Sequence, residues 1–139
     1  MKIVCGIEIS GNDANIVLLT GKKTDYSIVK SEFKKIRLED DKNQSLIKSF
    51  FEEVENFMRQ SQIDKLCIRR PASSGKFTAG PIAFKIEAIL QLGFVPVELL
   101  HPNTIASIIK KSNIPDEMYQ EVHKYQRAAF DAAYCGLED

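Results

Sequence analysis

The sequence predicts an α/β domain. Its mixed five-stranded sheet joins a three-stranded antiparallel meander to two parallel strands, with helices on both faces. Three observations carry this reading. The stretch Lys2–Gly11 (KIVCGIEISG) is apolar at Ile3, Val4, Cys5, Ile7 and Ile9. Both of its faces therefore seek burial, as in the central strand of a covered sheet. The next two strand-like runs are joined by connections too short for a crossover, which makes them antiparallel. Beyond residue 40, helical and strand patterns alternate, and that alternation requires crossovers and parallel strands.

In chain order, Gly11-Asn12-Asp13 turns the chain and Ala14–Leu19 forms the second strand. Gly21-Lys22-Lys23 turns it again. Asp25–Leu38 is the third strand, bent or solvated on one face, because Tyr26, Ile28, Val29, Phe33 and Ile36 sit among charges. Lys30, Lys34, Lys35 and Arg37 read as a solvated edge guarded against further pairing. Asp41–Gln60 is the clearest helix. Leu46, Ile47, Phe50, Phe51, Val54, Phe57 and Met58 share one face, while Glu52, Glu53 and Glu55 line the other. Asp41 with Gln44 has the spacing of a capping box.

Leu66, Cys67 and Ile68 make a short buried strand. It stops at Arg69-Arg70-Pro71, since Pro71 has no N–H for a ladder. Ala72–Phe77 is a linker, and its Gly75-Lys76 falls short of a phosphate-loop pattern. Thr78–Leu92 is the second helix, with Pro81 in its first turn and Gly93 closing it. Its buried side is Ile82, Ala83, Ile86, Ile89 and Leu90. Lys85 lies beside that side and could point back toward the strand ends. Val95–Leu100 is a peripheral strand, with Pro96 near its start. His101-Pro102-Asn103-Thr104 opens a short helix through Lys111, and His101 is read as its starting residue. Asp116 and Glu117 suit the first turn of a last helix reaching about Leu137. In it Val122, Ala129, Ala133 and Gly136 form a small-residue strip that lets the helix approach the sheet closely.

The 139 residues, 1–139, suit one domain with one core. Lys plus Arg equals Asp plus Glu at 19 each, so no global field holds nucleic acid, and only a local patch could. Cys5, Cys67 and Cys135 sit in apolar segments without metal-ligand spacing, which reads as buried free thiols in a reducing compartment. Glu8 interrupts the only apolar run near the start, and no run approaches the ~18 apolar residues of a membrane helix. The expectation is a cytoplasmic protein without a membrane partner. Neither His101 nor His123 belongs to a nucleophile motif.

Glu8 is the strongest site signal. A carboxylate near the end of a strand buried on both faces needs a cation, a metal or several donors. Ligands of such sheets bind beyond the carboxyl ends of the strands. Glu8, Arg69, Arg70, His101 and the 72–77 linker all fall there. Glu8 is either a ligand contact or the partner of Arg69 or Arg70 in a structural ion pair, and the pair is favoured. Either arginine could instead clamp a phosphate or carboxylate. Lys76 and Lys85 could add phosphate contacts, or be surface lysines. Asp131 could pair with Arg127 on its own helix.

The element order resembles the ribonuclease H-like fold. Gly6-Ile7-Glu8-Ile9-Ser10-Gly11 looks like the first-strand motif of the Holliday-junction resolvases, Gly-Ile-Asp-Pro-Gly, with Glu8 in place of the metal-binding Asp. Asp131-Ala132-Ala133 resembles their C-terminal-helix motif. More closely, the whole chain resembles a small bacterial family of unknown function. Its members carry segments similar to Gly6–Glu8, Gly75–Phe77 and Phe84–Ala88, and the similarity extends through Tyr125–Leu137.

The resolvase resemblance implies that Glu8 and Asp131 are catalytic ligands of Mg or Mn. Two departures weaken that implication. Arg69-Arg70 stand where the resolvases have a glutamate, and Ala128 stands where they have an acid three residues before the last Asp. The expected function is binding of nucleic acid, or another phosphate-bearing ligand, through Arg69, Arg70, Lys76 and Lys85 at a degenerate catalytic centre. The alternatives are a divalent-metal-dependent nuclease, and a structural or protein-partner-binding domain. The choice of DNA or RNA and the oligomeric state, a homo-oligomer included, stay open.

Overall fold

The computed structural model describes residues 1–72 and 80–139. The expected central strand is β1 (Ile3–Ser10), which pairs antiparallel with β2 (Asp13–Lys22) and parallel with β5 (Lys65–Arg69). The turn between β1 and β2 places Gly11 at a φ of 58°, a conformation that glycine adopts without cost. The spatial order is β3 (Asp25–Val29), β2, β1, β5 and β6 (Val97–Leu100). β6 lies at the edge, as Pro96 at its entrance implies.

The sheet has six strands where five are expected, because the third strand is broken. β3 pairs with residues 18–22 of β2, and β4 (Lys35–Arg37) pairs with residues 13–15. The two lie end to end along one side of β2. Between them Ile16 N donates to Lys34 O at 2.9 Å, and the Gln126 side-chain amide donates to Ile16 O at 2.9 Å. The regular ladder is interrupted over residues 30–34, and a side chain from far along the sequence satisfies the freed carbonyl.

Alternation along the strands assigns the two layers. Ile3, Cys5 and Ile7 of β1, with Leu66 and Ile68 of β5, pack under α1 (Gln44–Gln60) and α2 (Pro81–Gln91). Val4 and Cys67, with Val17 and Leu19, pack under α3 (Pro102–Lys110) and α5 (Arg127–Cys135). α1 begins later than its pattern suggests. Asn43 is the cap, its Oδ1 accepting from Leu46 N at 3.2 Å. α3 starts as expected, with His101 Nδ1 accepting from Asn103 N at 3.0 Å.

The single last helix expected from 116 to 137 is instead three pieces. These are α4 (Asp116–Gln120), a 3-10 turn (Lys124–Gln126) and α5. Gln126 Oε1 accepts from His123 N at 2.9 Å, a cap that restarts the chain in a new direction. The linker and helix-start expectations for residues 73–79 lie outside the described residues. Cys5 and Cys67 are buried and Cys135 is half-buried, all as free thiols. Burial pushes the Cys67 thiol up to about 12 and that of Cys135 to about 11, so both stay protonated. No described helix is long and apolar enough to cross a membrane.

α5 crosses β1 at Gly6. A Cβ built there would lie 2.7 Å from Ala133 Cβ and would overlap the backbone of Ala129 and Ala133. Ala129, Ala132 and Ala133 are fully buried. Gly6→Ala should therefore push α5 off the sheet and destabilise the protein by about 3 kcal/mol, the upper end of overpacking costs. Urea unfolding measures this, and a loss under about 1 kcal/mol would mean that α5 has room to yield.

Candidate functional site

Gly6 and Glu8 share a face of β1, so Glu8 emerges beside α5 rather than beneath α1 and α2. Its lateral partners are Asn15 in β2 and Arg69 in β5. Such partners point to the same side of a sheet. Asn15 is only 3% exposed, and its Nδ2 donates to Glu8 Oε1 at 3.2 Å. Glu8 itself is half-buried. The favoured ion pair with Arg69 or Arg70 is not formed among the described residues. Water reaches this carboxylate and Asn15 supplies a donor, so no paired charge is needed.

Asp131 comes to the same place from α5. Tyr119 of α4 donates its hydroxyl to Asp131 Oδ1 at 2.6 Å. Burial pushes the Asp131 carboxyl above its ordinary value, against the opposing effects of the Tyr119 hydrogen bond and the Arg69 charge. Burial and the bond to the carboxylate push the Tyr119 phenol far up, so it remains a donor. The alternative pairing of Asp131 with Arg127 is replaced by a different contact. The Arg127 guanidinium lies over the Tyr119 ring, 5.9 Å from its centroid.

Glu8, Arg69, Ala128 and Asp131 line one cleft of about 530 Å³, together with Ile105, Ile109 and Lys110 of α3. A larger hollow of about 690 Å³ lies by Met1, Lys2 and Glu138, at the opposite end of β1. The smaller cleft is the candidate site, because the acids and the guanidinium converge there.

Not all the expected residues gather in it. Arg70 follows Arg69 and so points to the other layer, where its Nε lies 3.6 Å from Glu87 Oε2 of α2. Lys85 also belongs to that layer. Its Nζ donates to Asp41 O at 2.6 Å and lies 3.5 Å from Asp41 Oδ2. The expectation that Arg70 and Lys85 converge on Glu8 is corrected accordingly. Lys76 lies outside the described residues.

Three residues of the site escape the sequence reading: Asn15, Tyr119 and Lys110. Asn15 carries a signal, since a two-residue turn at Gly11-Asn12 places it directly opposite Glu8. Tyr119 and Lys110 carry none, because both depend on how the last helices fold back.

The donor set does not fit a two-metal centre. Two carboxylates face the cleft, and among the described residues no three His, Cys, Asp or Glu side chains are grouped to hold a metal ion. Ala128, on the cleft wall, offers no ligand, and Arg69 brings positive charge where a metal would need a carboxylate.

The chain is similar to the solved Thermus thermophilus RuvC structure. The two are 12% identical, with 95% of this chain and 91% of that chain covered and a TM-score of 0.69. It is also similar to T. thermophilus RuvC in complex with a Holliday junction substrate, 11% identical over 96% of this chain and 91% of that chain, with a TM-score of 0.59. At these identities the likeness is one of fold, and the fold is ribonuclease H-like. No curated protein matches the sequence significantly. One family model spans residues 1–136, and by that match the chain belongs to the family described as "Protein of unknown function (DUF3010)".

Proposed function

We propose that this protein is a ribonuclease H-like binding domain. It takes nucleic acid, or another phosphate-bearing ligand, into the Glu8–Arg69–Asp131 cleft without hydrolysing it. The observation that carries the reading is Arg69. It stands on the cleft face at the end of β5, with Lys110 also lining the cleft, beside two carboxylates instead of a full metal-ligand set. A guanidinium offers a planar fork to phosphate oxygens, and the lysine adds a point charge. Glu8 and Asp131 then limit the site's net charge and can accept from sugar hydroxyls. The Holliday junction bound in the similar T. thermophilus RuvC complex makes DNA the first ligand to test. With two cations engaged, log K should fall with log salt at a slope near about −2 on duplex DNA. Arg69→Ala combined with Lys110→Ala should weaken binding about tenfold or more, read by fluorescence anisotropy. Unchanged binding would move the ligand to another surface.

The second reading is a divalent-metal nuclease. It draws on the arrival of Glu8 and Asp131 in one cleft from two separate elements. Incubation of labelled junction, duplex and single-stranded DNA with Mg2+ or Mn2+ separates the two. Metal-dependent cleavage that Glu8→Gln abolishes would overturn the binding-only reading. Without metal, Glu8→Gln should change stability by less than about 1 kcal/mol, because Gln retains an acceptor for Asn15.

Asp131 supplies a pH test of the same cleft. Its raised carboxyl holds a proton more tightly in the folded protein than in the unfolded chain. The stability this lends is complete below the ordinary aspartate value, about 3.9, and is lost as pH rises through the raised one. Asp131→Asn keeps an acceptor for Tyr119 and carries no charge. The variant should therefore gain stability relative to wild type as pH rises from about 4 to neutrality. Urea unfolding across that range measures the difference, and a difference flat with pH would show that burial does not strain this carboxylate.

A further inference from the structure

The polar row at the strand ends continues past Asn15. Lys35 of β4 is the lateral partner of Asn15, which faces Glu8, which faces Arg69. Lys35, Asn15, Glu8 and Arg69 thus stand in line on one face across four strands, about 14 Å at ordinary inter-strand spacing. The Arg69 end is the cleft. At the Lys35 end the chain presents His123 and Tyr125, flanking Lys124 at the start of the 3-10 turn. Their rings stack with centroids 5.3 Å apart and planes 5° from parallel. Lys35 Nζ lies 5.0 Å from the Tyr125 ring centroid, and Lys34 Nζ lies 3.3 Å from His123 Nε2. Tyr125 is 40% exposed, and His123 is exposed beside it.

These exposed rings are firmly mounted. Gln126, only 6% exposed, holds His123 N through its Oε1 and the β2 carbonyl of Ile16 through its Nε2, each at 2.9 Å. A hollow of about 510 Å³ opens beside them at the break between β3 and β4, lined by Lys30, Lys34, Val122 and one acid, Glu121. Rigid aromatic rings set among lysines, at the end of a polar track leading to a guanidinium, match what an unpaired strand offers. Its bases have open faces for stacking, and its phosphates meet the cations. A duplex hides those faces within its own stack.

We propose that His123, Tyr125 and Lys35 form a base-stacking platform for single-stranded nucleic acid. The strand runs from it past the half-buried Glu8, over the buried Asn15 side chain and not against it, into the Arg69 cleft. This rests on the reading of that cleft as a phosphate-binding site. The test uses the full chain with fluorescein-labelled oligothymidylate and the matching dT·dA duplex, followed by anisotropy. Wild type should prefer the single strand. Tyr125→Ala should weaken single-strand binding about tenfold and leave duplex binding unchanged. Tyr125→Phe, which keeps the ring face, should stay within about twofold of wild type. Lys35→Glu, at an exposed position, gives a second reading should Tyr125→Ala fail to fold, and it should also lose single-strand affinity.

Single-strand binding that Arg69→Ala weakens but Tyr125→Ala and Lys35→Glu do not would overturn the platform and leave the cleft reading standing. Loss with Tyr125→Ala but not with Arg69→Ala would overturn the cleft reading and support the platform. Wild type that binds neither probe would overturn the platform and the nucleic-acid reading of the cleft.

Discussion

The structure depends on the contact between Gly6 and α5. A glycine in the middle of a central strand costs backbone entropy and packs nothing of its own. Here its missing side chain lets the fully buried alanines of α5 rest on the β1 backbone. That approach sets the depth of the cleft. Two residues on from Gly6 the same face of β1 presents Glu8, and Asp131 lies on α5 about half a turn from each of the two contacting alanines. Two carboxylates from elements distant in sequence thus share one small space because a backbone and a helix meet with nothing between them.

The second constraint is parity. Arg69 and Arg70 are adjacent, so the sheet sends one to each layer. Arg70 goes to the α1–α2 side, where Glu87 is 6% exposed and needs a cation. Arg70 is half exposed, so this contact is worth less than a buried pair, but it turns the guanidinium away from the cleft. Arg69 goes to the α5 side, where Glu8 already has Asn15 and Asp131 already has Tyr119. Its guanidinium faces the cleft beside acids whose hydrogen bonds are partly met, which leaves donors for a ligand. The same dipeptide thereby sends one cation to each layer of the sheet.

Much of this is legible in the sequence. The apolar character of β1 on both faces fixes its central place. The short turns fix the meander, and Pro102 after His101 marks the start of α3. The register of β1 on β2, and with it the Asn15–Glu8 contact, follows from the turn at Gly11-Asn12. The choice between Arg69 and Arg70 needs the pairing of β5 with β1, a long-range fact that local pattern does not contain. The break in the last helix is less legible still. Residues 116–137 carry a helical pattern, and what interrupts it is Gln126 reaching the carbonyl of Ile16, 110 residues away in sequence. Tyr119 meets Asp131 only because of that break.

The interruption of the third strand is the other face of the same event. Had residues 25–38 paired continuously, the Ile16 carbonyl would be taken by the ladder and Gln126 would have no anchor. The chain from Lys30 to Lys34, between β3 and β4, leaves the regular ladder and so admits the 3-10 turn to the edge of β2. The lysines that weaken the strand are also those that meet His123 and Tyr125. A chain with equal numbers of acids and bases can in this way hold a local field: what it lacks in total charge it places at a break in its own sheet, in line with Glu8 and Arg69.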